Sequence, residues 1–587
     1  MSIKNSFIFF IVALFSLLLS TEAVVYAQTP REDPTRNSGS FLRQEQELEK
    51  RKNLPTQIPK SLLENKDTKK APAAGEKILV NSFKFEGEIK FISIDVLNNL
   101  VKDYVGKNLS FEEIQNIVKN INDFYKSKGY FLANVILPQQ EVKNGIIVIF
   151  INEGKLDPKE PYKLNKNKLR IQDERIKAYL DDALKNNLTQ ESLERGLLNI
   201  NDNPGVSASA NLEPGSTPGT TKILVDLTEG PYVDGSVTID NYGNRYTGDL
   251  RGTLSVDLNN PSDYGDLLNA TIVKAYDADF TSKKISYELP IGVSGLRVGA
   301  SFNELSYGLG KELTTNPKST GTADSYNVNL KYPIYRSAAE ALLFNANYDK
   351  KLLYNTSTGS VTADKELQNY NAGLTYQLTD QIFGGGFSQA DVVVTRGNLD
   401  LSGLASSLTD DQASTGAKTN GNFTKTNLQL LRIQRGTEKL SFQFLGAAQI
   451  AEKNLDSSEK FSLGGPSGVR AYPGGEASGD EGYKYSLDAK YVLATATSVG
   501  DILGSIFYDY GKVRQNNDVG NISMTTPNTY SLSGWGVGLD LVAAGKFTVK
   551  GGWAHVLGGN RGESSSGKDS DGRNDSSRYW LLANVAF

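Results

Sequence analysis

The chain has 587 residues, a formal net charge of −4, one histidine (His555) and no cysteine. That length exceeds one ordinary domain, and the near-neutral charge argues against a nucleic-acid partner. Without thiols and with a single imidazole, zinc sites, thiol chemistry and most histidine-based catalysis fall away, and no metal or cofactor is expected.

Lys4 precedes an apolar run over residues 7–19, and Val25-Tyr26-Ala27 follows with small residues at the −3 and −1 positions. This is the pattern of a secretory signal peptide over residues 1–27. The run is short for a membrane span, and no later stretch approaches 18 apolar residues. An exported, cysteine-free chain without a membrane helix points to a bacterial periplasm or outer membrane. Residues 28–52 predict a helix capped by Ser40 that carries Phe41, Leu42 and Leu48. It is polar almost all round, so it cannot pack on a dry core and suits a water-filled cavity; a disordered tail is the alternative. Residues 53–77, with Pro55, Pro59 and Pro72, read as a flexible linker.

From Ile78 the pattern turns globular. A strand over 78–85 is followed by a helix with one face of Ile94, Leu97, Val101 and Tyr104. Ser110 and Glu113 make a capping box for a second helix with a buried face of Phe111, Ile114, Val118, Ile121 and Tyr125. Strands over 133–137 and 145–151 complete a β-α-α-β-β unit. The unit recurs: Asn108-Leu109-Ser110 and Asn187-Leu188-Thr189 are 79 residues apart, as are Asn120-Ile121-Asn122-Asp123 and Asn199-Ile200-Asn201-Asp202. A constant offset is the mark of a duplication, which sets units at 78–154 and 155–230.

After Gly230-Pro231 helical periodicity stops. Leu250, Leu254, Val256 and Leu258, then Ile285, Tyr287 and Leu289, then Leu440, Phe442 and Phe444 alternate with polar neighbours. Such strands belong to a water-facing sandwich or a membrane barrel. Strands of about 10 residues, about sixteen of them, and a last run over 579–587 that ends on Phe587 select the barrel, because lipid cannot satisfy an open sheet edge. Within it lies Gly464-Gly465-Pro466-Ser467-Gly468-Val469-Arg470-Ala471-Tyr472-Pro473-Gly474-Gly475. The glycines make it a folded loop, and it lacks the lysine-plus-hydroxyl ending of a phosphate cradle.

A signal peptide, two β-α-α-β-β units and a barrel together resemble the outer-membrane transporters of two-partner secretion, the haemolysin secretion/activation type. The duplicated units look like polypeptide-transport-associated (POTRA) domains. Val469-Arg470-Ala471-Tyr472 matches the family's signature tetrad, which more often has Gly third, and Phe507-Tyr508-Asp509-Tyr510-Gly511 matches its Asp-x-Gly strand motif. The resemblance implies an α+β pair of periplasmic POTRA domains before an all-β, sixteen-stranded antiparallel transmembrane barrel over 231–587. It implies that the loop 452–480, between strands eleven and twelve, folds into the lumen. There Arg470 would pair with Asp509 at the end of strand thirteen, beside Gly468, Val469, Tyr472 and Gly511. It implies that the helix with Phe41, Leu42 and Leu48 plugs the barrel. A substrate groove is expected on the first POTRA unit between Phe111, Ile114 and Val118 of its second helix and Ile146 and Val148 of its last strand.

The implied activity is export of an unfolded, adhesin- or haemolysin-like exoprotein with an N-terminal two-partner-secretion domain, without ATP. Outer-membrane lipids, the barrel assembly machinery and periplasmic chaperones would be further partners. A BamA-type insertase is the alternative, although such proteins usually carry more POTRA copies. An outer-membrane hydrolase would depend wholly on His555, and a passive porin would not need tandem soluble domains.

Overall fold

The computed structural model describes residues 36–57, 77–166, 169–185, 189–217, 220–497, 500–543 and 545–587. The expected signal peptide, most of the linker, and Asn187 and Leu188 of the repeat motif lie outside them.

In the first POTRA-like unit, strand Ser82–Glu88 pairs in parallel with Ile146–Asn152, which pairs antiparallel with the short Asn134–Ile136. Ile146–Asn152 is therefore the middle strand. Its alternate residues Ile147, Ile149 and Ile151 form one core with Leu97, Ile114 and Ile121 from the two helices, Ile94–Val101 and Phe111–Ser127. The capping box is present: Glu113 N–H donates to Ser110 Oγ at 3.2 Å, and Ser110 N–H to Glu113 Oε2 at 2.6 Å. The buried stripe is Ile114, Ile117, Ile121 and Tyr125, not the expected set. Phe111 and Val118 lie on the flank of that stripe at 3.6 residues per turn, and Phe111 is 53 % exposed.

The second unit repeats the plan. Helices Asp173–Leu184 and Gln190–Asn201 pack on strands Tyr162–Lys166, Thr220–Glu229 and Val206–Pro214. Thr189 caps its second helix, accepting from Ser192 N–H at 3.1 Å, where Ser110 caps the equivalent helix. Ile121 and Ile200, which share the 79-residue offset, are both buried core residues. This unit also docks on the near ends of the barrel strands. Asp202 takes Arg336 in a bidentate pair. Arg175 stacks 3.9 Å over the Tyr264 ring and donates to the Gly292 carbonyl at 2.9 Å.

From Val233–Asp240 to Ser577–Ala586, sixteen antiparallel strands close into a barrel. They run from 8 to 21 residues, so several exceed the expected 10 and project past the hydrocarbon layer. Val237, Ile239, Ile506, Leu539 and Leu581 face outward, while Asp240, Arg251, Lys351, Asn369 and Asp509 are buried on the lumen side. This inversion of a soluble core is what lipid requires. His555 stacks on Trp553 at 5.7 Å, and Trp553 meets Trp535 edge to face at 5.4 Å. His555 is thus a strand residue in an outward aromatic cluster.

Because the two isoleucines sit in separate cores, Ile121→Ala and Ile200→Ala should each destabilise their own unit by about 2–5 kcal/mol. Pulse proteolysis of the full chain in micelles reads this, with the barrel keeping its heat-modifiable migration. Collapse of the barrel with either substitution would show one cooperative core instead.

Candidate functional site

Connections after odd-numbered strands lie on the side of the barrel away from the POTRA-like units. The loop 452–480, between strands Leu440–Ala451 and Glu481–Thr497, starts on that far side and folds back into the lumen. Its own short hairpin pairs Phe461–Ser462 with Ser478–Gly479. Gly468 permits the tight return, since a Cβ there would fall 1.8 Å from the Leu463 carbonyl oxygen. Val469, Ala471 and Tyr472 then sink into an apolar cluster with Leu463, Phe507 and Leu532. Ala471 is not among the non-glycine residues at positive φ, so the departure at the third tetrad position carries no backbone strain. Its methyl faces Gly534, where a Cβ would approach within 2.6 Å, and Gly511 leaves room for Leu463 in the same way.

Arg470 is gripped from two strands. Asp509 belongs to Gly500–Arg514 and sits inside that strand rather than at its end. Its Oδ2 accepts from Arg470 Nε at 2.9 Å and from the Arg470 backbone N–H at 3.0 Å, and its Oδ1 accepts from Nη2 at 2.7 Å. Asp488, on the neighbouring strand, takes Nη1 at 2.9 Å, and Ser486 Oγ lies 2.6 Å from Nη2. The guanidinium lies 3.4 Å over the Phe507 ring. Asp509 is only 1 % exposed, so it is a buried carboxylate that requires a cation. Phe507 opens the quoted Asp-x-Gly run without a role expected for it, and Ser486 and Asp488 came from no motif. Their signal is the polar alternation Lys484, Ser486, Asp488, Lys490 against Tyr483, Tyr485, Leu487, which marks a lumen face but not its role.

The predicted helix is Ser38–Lys52, inside the barrel, and its cap is Asn37. Ser40 supplies the reciprocal bond, its Oγ accepting from Asn37 N–H at 3.1 Å. The helix is not polar on every side. Phe41 and Leu42 are buried in an apolar cluster of the wall with Phe280, Leu305 and Leu353, while Leu48 is half-buried. Its acidic residues reach basic wall residues, Glu45 to Arg251 and Glu49 to Lys284. The helix also touches the loop: Arg43 Nη1 lies 2.8 Å from the Ser457 carbonyl and 3.0 Å from that of Lys460. Outside, Glu476 of the loop accepts from Asn560 Nδ2 at 2.8 Å and from Ser570 N–H at 2.6 Å. Burial, with Asp569 nearby, pushes its carboxyl up to about 7. The two hydrogen bonds favour the ionised form, but burial beside Asp569 outweighs them, so the buried placement of Glu476 loses stability as pH rises through that value.

The expected substrate groove is not assembled as drawn. Ile114 is core-facing, Phe111 and Val118 flank it, and Ile146 and Val148 point to the opposite face of the sheet from the helices. Strand parity separates them. Val148 is also occupied at its main chain. The Gln140 side chain donates to its carbonyl and accepts from its N–H, both at 2.7 Å, in place of a longer edge strand.

Residues 219–541 match the family of the haemolysin secretion/activation protein ShlB/FhaC/HecB, and residues 78–154 match the ShlB-type POTRA domain. The chain belongs to the ShlB/FhaC/HecB family. The heme/hemopexin transporter protein HuxB of Haemophilus influenzae (strain 86-028NP) is 27 % identical over 538 residues, 87 % of this chain and 90 % of that one. The outer membrane transporter CdiB of Escherichia coli O6:K15:H31 is 23 % identical over 459 residues, 76 % and 75 % of the two chains. The structure of CdiB from Escherichia coli superposes with a TM-score of 0.71 at 18 % identity, covering 95 % of this chain and all of that one. This chain is a two-partner secretion transporter of the outer membrane, with its POTRA domains in the periplasm, and it works with a secreted exoprotein.

Removing one member of a buried ion pair costs about 3–5 kcal/mol. Arg470→Ala strands both Asp488 and Asp509, whereas Asp509→Ala leaves Arg470 with Asp488. Protease added to intact cells should therefore cleave the loop faster in Arg470→Ala than in Asp509→Ala, and the double variant should be no worse than Arg470→Ala. Additive losses would show that the two residues act independently.

Proposed function

We propose that the chain exports an unfolded exoprotein with an N-terminal two-partner-secretion domain, received by the POTRA domains and passed through the barrel once helix and loop clear the lumen. Arg470 and Asp509 act as the loop latch in this reading. The observation that carries it is the way the lumen is filled. Both occupants meet the wall through side-chain contacts, namely Arg470 with Asp509 and Asp488, Glu45 with Arg251, and Phe41 and Leu42 in their apolar seat. Neither is hydrogen-bonded into the barrel's strand ladder, so both can leave without opening a sheet.

The receptor is the edge strand Asn134–Ile136 of the first POTRA domain. Ile136 stands opposite Phe150 in register, and both are exposed on the sheet's outer face, as is Ile146. An extended segment adding to that edge gains main-chain hydrogen bonds, and its alternate side chains reach this apolar face. No nucleotide-binding loop occurs in the sequence, so the drive for export is folding of the exoprotein outside. A BamA-type insertase role has no support from the lumen contacts, which stopper a channel across the membrane.

Deleting residues 78–154 should abolish secretion while a heat-modifiable barrel remains in the membrane; undiminished secretion would remove the receptor reading. Deleting residues 36–52 should raise ion conductance in planar bilayers. Conductance equal to that of the intact chain would show that the loop alone seals the pore.

A further inference from the structure

The barrel closes on a short joint. Val233–Asp240 and Ser577–Ala586 pair over five positions, from Ser236 with Ala586 to Asp240 with Leu582. The joints on either side run over eight and nine. Side chains extend the closure. Asn241 Nδ2 donates to the Tyr579 carbonyl at 2.8 Å, and its Oδ1 accepts from Leu581 N–H at 2.8 Å, so its amide stands in for one more peptide group. On the lumen side of the same strand Trp580 faces inward opposite Gly552. Its indole Nε1–H donates to the Arg470 carbonyl at 2.7 Å, and its ring meets Tyr242 edge-on at 5.9 Å. The residue whose guanidinium is fixed to strands twelve and thirteen thus offers its carbonyl to strand sixteen.

We infer that Trp580 is a positioning residue that clasps the latched loop to the closing strand, so that a docked loop stiffens the barrel seam and a released loop loosens it. The inference rests on the latch reading of Arg470 and Asp509, and it gives that latch a second consequence: the state of the loop is felt where the barrel closes. The chemistry is specific. Indole has one donor and no acceptor, and the Arg470 carbonyl belongs to a loop residue whose own side chain is held by a buried ion pair to Asp509. Phenylalanine keeps the ring and the contact with Tyr242 but removes the donor.

The test is amide hydrogen exchange of the full chain in micelles, followed in residues 577–587 with strand Gly421–Arg435 as the internal reference. Trp580→Phe should speed exchange at the seam roughly 2- to 10-fold, the factor that one net hydrogen bond supports, and leave the reference strand unchanged. Arg470→Ala should loosen the seam similarly, and Trp580→Phe should add nothing in that background. Equal acceleration by Trp580→Phe with and without Arg470 would reduce Trp580 to a packing residue, and unchanged exchange would also overturn the clasp. A second measurement leaves Trp580 in place. The chain has 3 tryptophans, so Trp535→Phe with Trp553→Phe makes Trp580 the sole tryptophan, excited selectively at the red edge of the absorption band. Adding Arg470→Ala should then shift its emission to the red as the indole meets water; an unshifted spectrum counts against the clasp. Failure of the latch itself is seen separately, as an Arg470→Ala variant whose loop stays protected and whose secretion is normal, while Trp580→Phe in the otherwise unaltered chain still reports on the clasp.

Discussion

A guanidinium placed inside a membrane barrel must find negative charge there, and that constraint organises the far half of this molecule. Arg470 meets two carboxylates, a hydroxyl and an aromatic face. The strand register puts Ser486 directly opposite Asp509 and Asp488 opposite Phe507, so one two-residue step along two strands builds the whole receptor. The flanking residues have the opposite chemistry: Val469, Ala471 and Tyr472 are buried among apolar side chains. The apolar bedding supplies most of the burial energy, at about 1.5–3 kcal/mol for a large side chain. The ion pair adds little net stability once desolvation is counted. What it supplies is register, because a loop shifted by one residue would leave Asp509 without a cation.

The same division of labour appears at the helix. Phe41 and Leu42 provide the apolar seat, while Glu45, Glu47 and Glu49 reach Arg251, Lys484 and Lys284 at successive points along the helix. Gly39 lets the first turn lie against Ser458 of the loop, where any Cβ would approach within 2.8 Å. Helix and loop therefore share an interface and fill the lumen together.

Much of this was legible in the sequence because it rests on periodicity. The 79-residue offset and the switch to alternation after Pro231 each express a repeating geometry, while the tetrad and its Asp motif were legible through the family resemblance. The rest is set by parity and by phase. The expected groove residues lie on a helix face and a strand face that point in opposite directions, and no local pattern reveals which face of a middle strand the helices cover. Phe111 looks like the start of an apolar stripe, but the stripe includes Ile117, which at about 100° per residue lies roughly 120° around the helix from Phe111. Phe41, Leu42 and Leu48 are the large apolar residues of a polar helix, too few to create a periodic signal, yet the first two are enough to seat its first turn. Ser486 and Asp488 look like any lumen-facing pair until the loop arrives, which is a contact between residues far apart in the chain.

The wall is prepared for the loss of one occupant and not of the other. When the helix leaves, Arg251 keeps Asp240, whose Oδ1 is 3.1 Å from its Nε, and Lys484 keeps the Ser462 carbonyl at 2.9 Å. The pair of Glu49 with Lys284 is largely solvated, with Glu49 49 % exposed, and such pairs are worth about 0–1 kcal/mol. Of these wall cations Lys484 alone trades a carboxylate for a neutral carbonyl, and the covalent connection of the helix to the first POTRA domain keeps its effective concentration high for return. Departure of Arg470 is different in kind. It abandons Asp488 and Asp509 on either side of Ser486, within 2.9 and 2.7 Å of its hydroxyl, as two buried like charges with no cation between them. Either water must enter or another positive group must take its place. The helix is accordingly the occupant that can exchange in and out of the lumen at small cost, and the loop is the one whose movement requires a replacement for its charge.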